Sequence, residues 1–359
     1  MPVATRTALD ALPAYKPGRR PDELARELGV RQAVKLASNE MAFGPLPSVV
    51  DAVQAAVAGA NRYPDMRSTE LTAALARRFD VEPDRVAVGC GSVALCRHLV
   101  EIMVDPGQRV AYGWPTFDVY GSAAVIAGGG AITVPMVDHR LDVDALADAV
   151  TAETRVVVVC NPNNPTGTVS TREELERLIA RVPSDVLIVL DEAYLHFVTD
   201  ERVPDGLELA RAHDNVAVLR TFSKAYGLAG LRAGFCVAAP EVATALRKVI
   251  MPFSVSAPAQ AAAVASLTPE AEGELRARVA AVVTERDRVT AALRELGADV
   301  PESQANFVWL PLAEASASFA ADCESAGVIL RAYPGMGVRV TVGTPGENDL
   351  FLKAARELL

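Results

Sequence analysis

The chain has 359 residues, half of them hydrophobic and 22% charged, with a formal net charge of −10. Its length exceeds what one hydrophobic core ordinarily fills, so two lobes are expected, and its composition argues against disorder except near the first twenty residues. The acidic balance excludes a general binder of nucleic acid or of anionic membrane, both of which need a basic surface; any anionic ligand must be held by local groups.

At the N-terminus, MPVATRTALDALPAYKPG lacks the basic-then-apolar layout of a secretory signal. No apolar run approaches the roughly 18 residues that a membrane span requires, so neither secretion nor membrane insertion is expected. From there short β-rich runs alternate with helical patterns. RVAVG, QRVAYG, AITVPM, TRVVVVC, DVLIVLD and NVAVLR are interspersed with stretches such as STELTAALARRF and TREELERLIARV. Continuous apolar runs such as VVVVC and VLIVL suit strands buried on both faces. The expected class is α/β, a large and mostly parallel sheet with ligand chemistry at the carboxyl ends of its strands. Beyond about Pro252 the pattern changes to long helices, APAQAAAVASL and ELRARVAAVVTERDRVTAALRELG, followed by the short strands NFVWLPL and VRVTVG. These predict a smaller α+β domain.

The five cysteines, Cys90, Cys96, Cys160, Cys236 and Cys323, are odd in number, scattered, and mostly set in apolar runs. They read as reduced core thiols of a cytoplasmic protein. With His98, His139, His196 and His213 equally dispersed, no zinc spacing emerges and no metal is expected.

Four stretches at strand ends carry candidate chemistry. In VGCGSVALC, Gly89, Gly91 and Ala94 fit a GxGxxA dinucleotide fingerprint, but the acidic residue expected about 20 positions on is missing from QRVAYGWP. A small-residue turn feeding a helix exposes backbone N–H groups at Gly91, Ser92 and Val93, and the Ser92 hydroxyl adds a donor. Taken alone the stretch is either a phosphate site or a tight turn. In CNPNNPTGT, two prolines and a glycine fix a turn that offers Asn161, Asn163 and Asn164; turn chemistry alone also accounts for it. VLIVLDEAYLHF ends a buried strand on Asp191, with Tyr194 three residues on, and a carboxylate there needs a partner. TFSKAYGLAGLRAGF places Lys224 after an apolar strand, where a lysine by itself reads as a solvated charge.

Together these groups match the needs of pyridoxal 5′-phosphate. Lys224 would form the Schiff base and Asp191 would pair with the ring nitrogen, while Asn164 and Tyr194 would bond the ring phenolate oxygen. Ser92, Thr221, Ser223 and Arg232 would surround the phosphate.

NPNNPTG, DEAY and TFSKAYGLAGLRAG, in that order, resemble the fold-type I pyridoxal-phosphate aminotransferases, within their histidinol-phosphate aminotransferase branch, over nearly the whole chain. KLASNEMAFGPLPSV, NRYPD, VAVGCGSVALC, SQANFVWLPL and VRVTVG add a likeness to the actinobacterial aromatic-amino-acid (phenylalanine) aminotransferase group. The resemblance implies an N-terminal arm with part of the small domain at 1–38, a large cofactor-binding domain at 39–251, and a small C-terminal domain at 252–359. It also implies Phe117 against the cofactor ring and Tyr63 reaching the phosphate of a neighbouring subunit, hence a homodimer with shared sites. Arg339 matches the arginine that grips the substrate's distal anion, a carboxylate or a phosphate. Arg331, Asn39 and Tyr15 lie on the substrate side.

Phe117 and Tyr63 are equally compatible with plain packing, and Arg331 with a solvated charge. Where many relatives read NENPFGP, this chain reads Asn39, Glu40, Met41, Ala42, Phe43, Gly44, Pro45, a departure at the substrate entrance. The implied activity is ping-pong amino transfer from phenylalanine or tyrosine to 2-oxoglutarate. Its rivals are histidinol-phosphate transamination and a noncatalytic protein that keeps the fold to bind a cofactor or partner; retention of Lys224 and Asp191 speaks against the last.

Overall fold

The structure, a computed structural model, describes residues 3, 5–12, 19–30 and 32–359. In chain order its strands are β1 (Val34–Lys35), β2 (Val86–Gly89), β3 (Arg109–Trp114), β4 (Gly130–Pro135), β5 (Thr154–Cys160), β6 (Leu187–Asp191), β7 (Val216–Thr221), β8 (Gly234–Val237), β9 (Phe307–Leu310), β10 (Val328–Ile329), β11 (Arg331–Tyr333) and β12 (Gly337–Thr341). Seven form one sheet in the order β2-β8-β7-β6-β5-β3-β4. Only β8 runs against its neighbours, so the other six strands present their carboxyl ends at one rim. The mostly parallel α/β sheet expected from the apolar runs is therefore present.

The central strands are apolar throughout because both sheet faces are covered, and their residues alternate between two cores. Val157, Val159, Ile188, Leu190, Val216 and Val218 face one core. Val156, Val158, Leu187, Val189, Ala217 and Leu219 face the other, under the helices Gly91–Met103 and Val119–Ala127. By the same alternation Asp191 belongs to the second face, on which Tyr120 and Cys96 also sit.

The later chain builds a three-stranded antiparallel sheet, β11-β12-β9, and the pair β1-β10. Val308, Leu310, Val338 and Val340 point into a separate core with Val34, Leu36, Phe319 and Phe351. The opposite face of that sheet carries Phe307, Trp309, Arg331, Tyr333, Arg339 and Thr341 by alternation. The 27-residue helix Pro269–Glu295 joins the two bodies: Leu275, Val279 and Val282 pack with the large sheet, Val289 and Leu293 with the small one. The large core thus continues through Val255–Val282, beyond position 252. Among the described residues no helix is long and apolar enough to cross a membrane.

Candidate active site

The direction of β8 explains how the anion cradle forms. Gly234, at its start, pairs with both Gly89 and Thr221, the last residues of β2 and β7. Arg232 precedes β8 by two residues, so it arrives at the rim where those strands finish. Its Nη1 donates to Ser223 Oγ at 3.2 Å and to the Ala229 carbonyl at 3.0 Å, and the Ser223 N–H donates to Thr221 Oγ1 at 3.0 Å. Gly91 opens the helix Gly91–Met103 at φ +80°, and a Cβ there would lie 2.5 Å from Arg232 Nη2. A Cβ on Gly234 would lie 2.5 Å from the Ser92 nitrogen. Close approach to backbone requires glycine at 234, and the left-handed φ requires it at 91. The result is a guanidinium, the hydroxyl side chains of Ser92, Thr221 and Ser223, and the first N–H groups of a helix at Gly91, Ser92 and Val93. The helix leaves those N–H groups without internal acceptors.

Asp191 ends β6 and is buried. The Tyr120 hydroxyl donates to its Oδ2 at 2.8 Å, and the Ala193 N–H donates to Oδ1 at 3.3 Å. Burial raises the carboxyl's pKa, while Tyr120, the Ala193 N–H and the charge of Lys224 oppose the rise. The next residue, Glu192, points elsewhere: its Oε2 accepts from Arg220 Nε at 2.9 Å and its Oε1 from the Gly206 N–H at 2.7 Å. The DE pair therefore divides into one site carboxylate and one buried ion pair.

Lys224 is half-buried; its Nζ donates to the Ser38 carbonyl at 3.1 Å and lies 5.5 Å from the centre of the Tyr194 ring. Burial first and the charge of Arg339 second pull its pKa down to about 7, with Glu40 and Asp191 acting the other way. Half of such a lysine is an uncharged nucleophile near neutral pH.

A relay of side chains orients the donors around it. The Asn39 N–H donates to Thr341 Oγ1 at 2.9 Å, and that hydroxyl donates to Asn39 Oδ1 at 3.0 Å. Asn39 Nδ2 then donates to the Tyr194 hydroxyl at 3.0 Å, which leaves the phenol's own proton to be given onward. Burial raises the Tyr194 pKa, so the proton is retained. Asn39 holds φ at +54°, a left-handed conformation that asparagine tolerates. Likewise Arg339 Nη1 donates to Asn164 Oδ1 at 2.5 Å, freeing the Asn164 amide nitrogen as a donor. Arg339 Nη2 donates to the Ala37 carbonyl at 2.5 Å, while its Nε is buried without a partner among the described residues.

Arg331 lies directly across from Arg339 in the β11–β12 register, on the same sheet face. It is more exposed than Arg339, and its Nη2 is 3.9 Å from Asp118. Phe117 is half-buried and meets Tyr120 edge-on at 6.0 Å. Tyr63 is not gathered with these groups: it is 82% exposed and stacked on Phe253 at 4.6 Å. Tyr15 lies outside the described residues. The sequence reading missed Tyr120, Thr341 and the Ser38 carbonyl. For Tyr120 a signal existed, since it lies three residues beyond Phe117 in WPTFDVY and one helical turn brings the two together.

These elements define a fold-type I, pyridoxal-phosphate-dependent aminotransferase. The chain belongs to the family of class I and II aminotransferases, whose family model matches residues 31–354. It is 53% identical over 358 residues to the aromatic amino acid aminotransferase of Thermobifida fusca, spanning 99% of this chain and 97% of the relative. It is also 53% identical to the protein of that name from Streptomyces coelicolor, over 98% of this chain and 96% of the other. Among solved structures it resembles the histidinol-phosphate aminotransferase of Sinorhizobium meliloti in complex with pyridoxal-5′-phosphate. That match has a TM-score of 0.88 at 29% identity and covers 99% of this chain and 98% of the other. The residues present fit that cofactor: the tight cradle supplies an anion site, Asp191 a carboxylate for a protonated ring nitrogen, and Lys224 an amine of lowered pKa.

Proposed function

We propose that this enzyme transfers the amino group of phenylalanine or tyrosine to 2-oxoglutarate in two ping-pong half-reactions, working in the cytoplasm as a homodimer. The observation that carries the substrate reading is the setting of Arg339. A single buried guanidinium, with Nε free for an incoming carboxylate, lies on a sheet face with Phe307, Trp309 and Tyr333. Its carbon is 5.6 Å from the centre of the Phe307 ring. One anion clamp beside apolar rings suits an aromatic amino acid, and the names of the relatives at about half identity agree.

In this reading Gly91, Ser92, Val93, Thr221, Ser223 and Arg232 hold the cofactor phosphate, with Tyr63 of the partner subunit. Asp191 would face the ring nitrogen, Asn164 and Tyr194 the ring oxygen, and Phe117 the face of the ring. Pyridoxal 5′-phosphate, when bound, supplies an aldehyde that condenses with amines and a ring that accepts the electron pair of the substrate's Cα–H bond. Arg339 fixes the substrate carboxylate, with Asn39 beside it and Tyr15 on the same side. Lys224 Nζ, held at the Ser38 carbonyl and half uncharged near pH 7, would take the proton from the substrate Cα and deliver it to the cofactor's C4′ carbon. Tyr194, already accepting from Asn39, would donate a hydrogen bond to the ring oxygen while keeping its proton.

A second reading, histidinol-phosphate transamination, is favoured by Arg331, which sits opposite Arg339 and would give a phosphate ester a second cation. The two are separated by measuring kcat/KM for phenylalanine, tyrosine and histidinol phosphate side by side on one preparation, with 2-oxoglutarate as acceptor. The aromatic donors should lead by at least about tenfold, a difference of only about 1.4 kcal/mol in transition-state binding. Turnover of histidinol phosphate as efficient as that of phenylalanine overturns the aromatic assignment.

A further inference from the structure

Tyr120 is fully buried, and no step described above uses it. Its hydroxyl bonds Asp191 Oδ2 at 2.8 Å, the shorter of the two hydrogen bonds to that carboxylate, the other being the Ala193 N–H at 3.3 Å. Its ring meets Phe117 edge-on, with centroids 6.0 Å apart and planes at 86°, and is backed by Tyr112 at 5.8 Å. One side chain therefore touches both the carboxylate assigned to the ring nitrogen and the aromatic ring assigned to its face.

We propose that Tyr120 is a positioning residue for the cofactor ring, its hydroxyl fixing the rotation of the Asp191 carboxylate and its ring edge setting the plane of Phe117. The proposal rests on the assignment of Asp191 to the ring nitrogen. A carboxylate at the end of a strand can rotate about its last bond, and in a dry site its ionised form is costly. A hydroxyl donor to a charged acceptor makes a short, strong bond that opposes both tendencies. The groups facing Asp191 are Tyr120 and Cys96 from the two covering helices, Cys160 from the adjoining strand, and Tyr194 and Lys224 from the rim loops. Burial keeps the Tyr120, Cys96, Cys160 and Tyr194 protons in place, so only Lys224 competes as a charge. Tyr120 then donates to Asp191 in one direction only.

The test is Tyr120→Phe in the loaded dimer, which removes the hydroxyl and keeps the ring. The visible absorption band of the bound cofactor is titrated with pH, and kcat and KM are measured for the amino donor. The midpoint of the band should rise by about one unit, because a less fully protonated ring withdraws less charge from the linked nitrogen. kcat should fall about tenfold, with KM within about twofold. Two comparisons keep the result decisive. Asp191→Asn should move the band at least as far, whereas Tyr112→Phe, which alters a neighbouring tyrosine with no bond to Asp191, should leave it in place. A Tyr120→Phe midpoint within about 0.2 unit of the parent, alongside a shifted Asp191→Asn band, overturns the role of Tyr120 alone. An unmoved Asp191→Asn band overturns the assignment of Asp191, and the proposal with it. An equal shift in Tyr112→Phe shows general packing loss and also overturns it.

Discussion

Arg339→Met removes one charge and should be read in two places at once. Of the five guanidinium protons, one goes to Asn164 and one to the Ala37 carbonyl, each at 2.5 Å, a third to the Tyr333 hydroxyl at 3.4 Å, and Nε has no partner among the described residues. The spare protons are enough for two charge-assisted bonds to a substrate carboxylate. At about 1.5–3 kcal/mol each, their loss should lower kcat/KM for phenylalanine by roughly 10²–10⁴-fold. Arg339→Lys, which keeps the charge and one bond, should lose about ten- to a hundredfold. The second effect falls on Lys224, whose pKa of about 7 owes most to burial and next most to Arg339. Without that charge the lysine's midpoint must rise. Capture of cofactor by cofactor-free protein needs the uncharged amine, so its rate, followed by stopped-flow absorbance against pH, should have a midpoint near 7 in the parent and a higher one in Arg339→Met. Stability follows the same sign. The folded pKa lies below the ordinary 10.5, so the unfolded chain binds the extra proton and the cofactor-free protein gains stability as pH climbs from about 7 towards 10.5. The substitution should move the lower edge of that window upward. A variant that keeps kcat/KM within about threefold, or whose capture midpoint stays or falls, refutes the reasoning.

Two further outcomes follow from the site. Borohydride treatment of the loaded protein should fix the cofactor on the peptide carrying Lys224, and Lys224→Ala should still bind cofactor while transamination falls by at least about 10²–10⁴-fold; a label recovered by mass spectrometry on another residue rejects the assignment. Tyr63, 82% exposed in the single chain, should complete the site of a second copy. Mixing Lys224→Ala with Tyr63→Ala under subunit exchange should then restore part of the activity, and proven exchange with no recovery rejects a shared site.

Of the six large-sheet strands that sequence pattern located, β5 to β7 are the clearest, with apolar runs buried on both faces, whereas β4 at the sheet edge is only partly buried. β8 escaped because GFCV runs directly on from the glycine-rich loop AYGLAGLRA, which hides the start of its short apolar run. β1, β10 and β11 are two or three residues long and owe their existence to pairing partners far away in the chain, Val34 with Val328 and Arg331 with Arg339 among them. The long helix begins at Pro269 under a Thr268 cap, earlier than its charged run announces, because Gly273 interrupts the helical pattern there. Composition likewise changes near residue 252, whereas the helix Ala257–Ala265 buries Ala259, Ala262 and Ala263 in the large core. A shift in element type and a change of core need not coincide.

At the site, sequence reached the groups that stand at strand ends, since a polar residue closing an apolar run is conspicuous: Asp191 after VLIVL, Thr221 and Lys224 after VAVLR, Asn164 after VVVVC. It could not reach what depends on two segments meeting. Tyr120 is 71 residues from Asp191, and the bond between them exists because the helix Val119–Ala127 covers one particular face of β6. That dependence also explains how the chain tolerates its two most awkward ionisable groups. Burial pushes Asp191 up and Lys224 down, both toward the uncharged form, and each residue's charge opposes the other's shift. Left alone the pair would lose much of its charge, and with it the negative charge that the proposed pairing of Asp191 with a ring nitrogen needs. The Tyr120 hydroxyl tips Asp191 back toward ionisation, whereas Arg339 and Arg232 keep Lys224 from becoming a fixed ammonium. Here a donor on one and cations beside the other hold them apart, as an acid partner and as a free base.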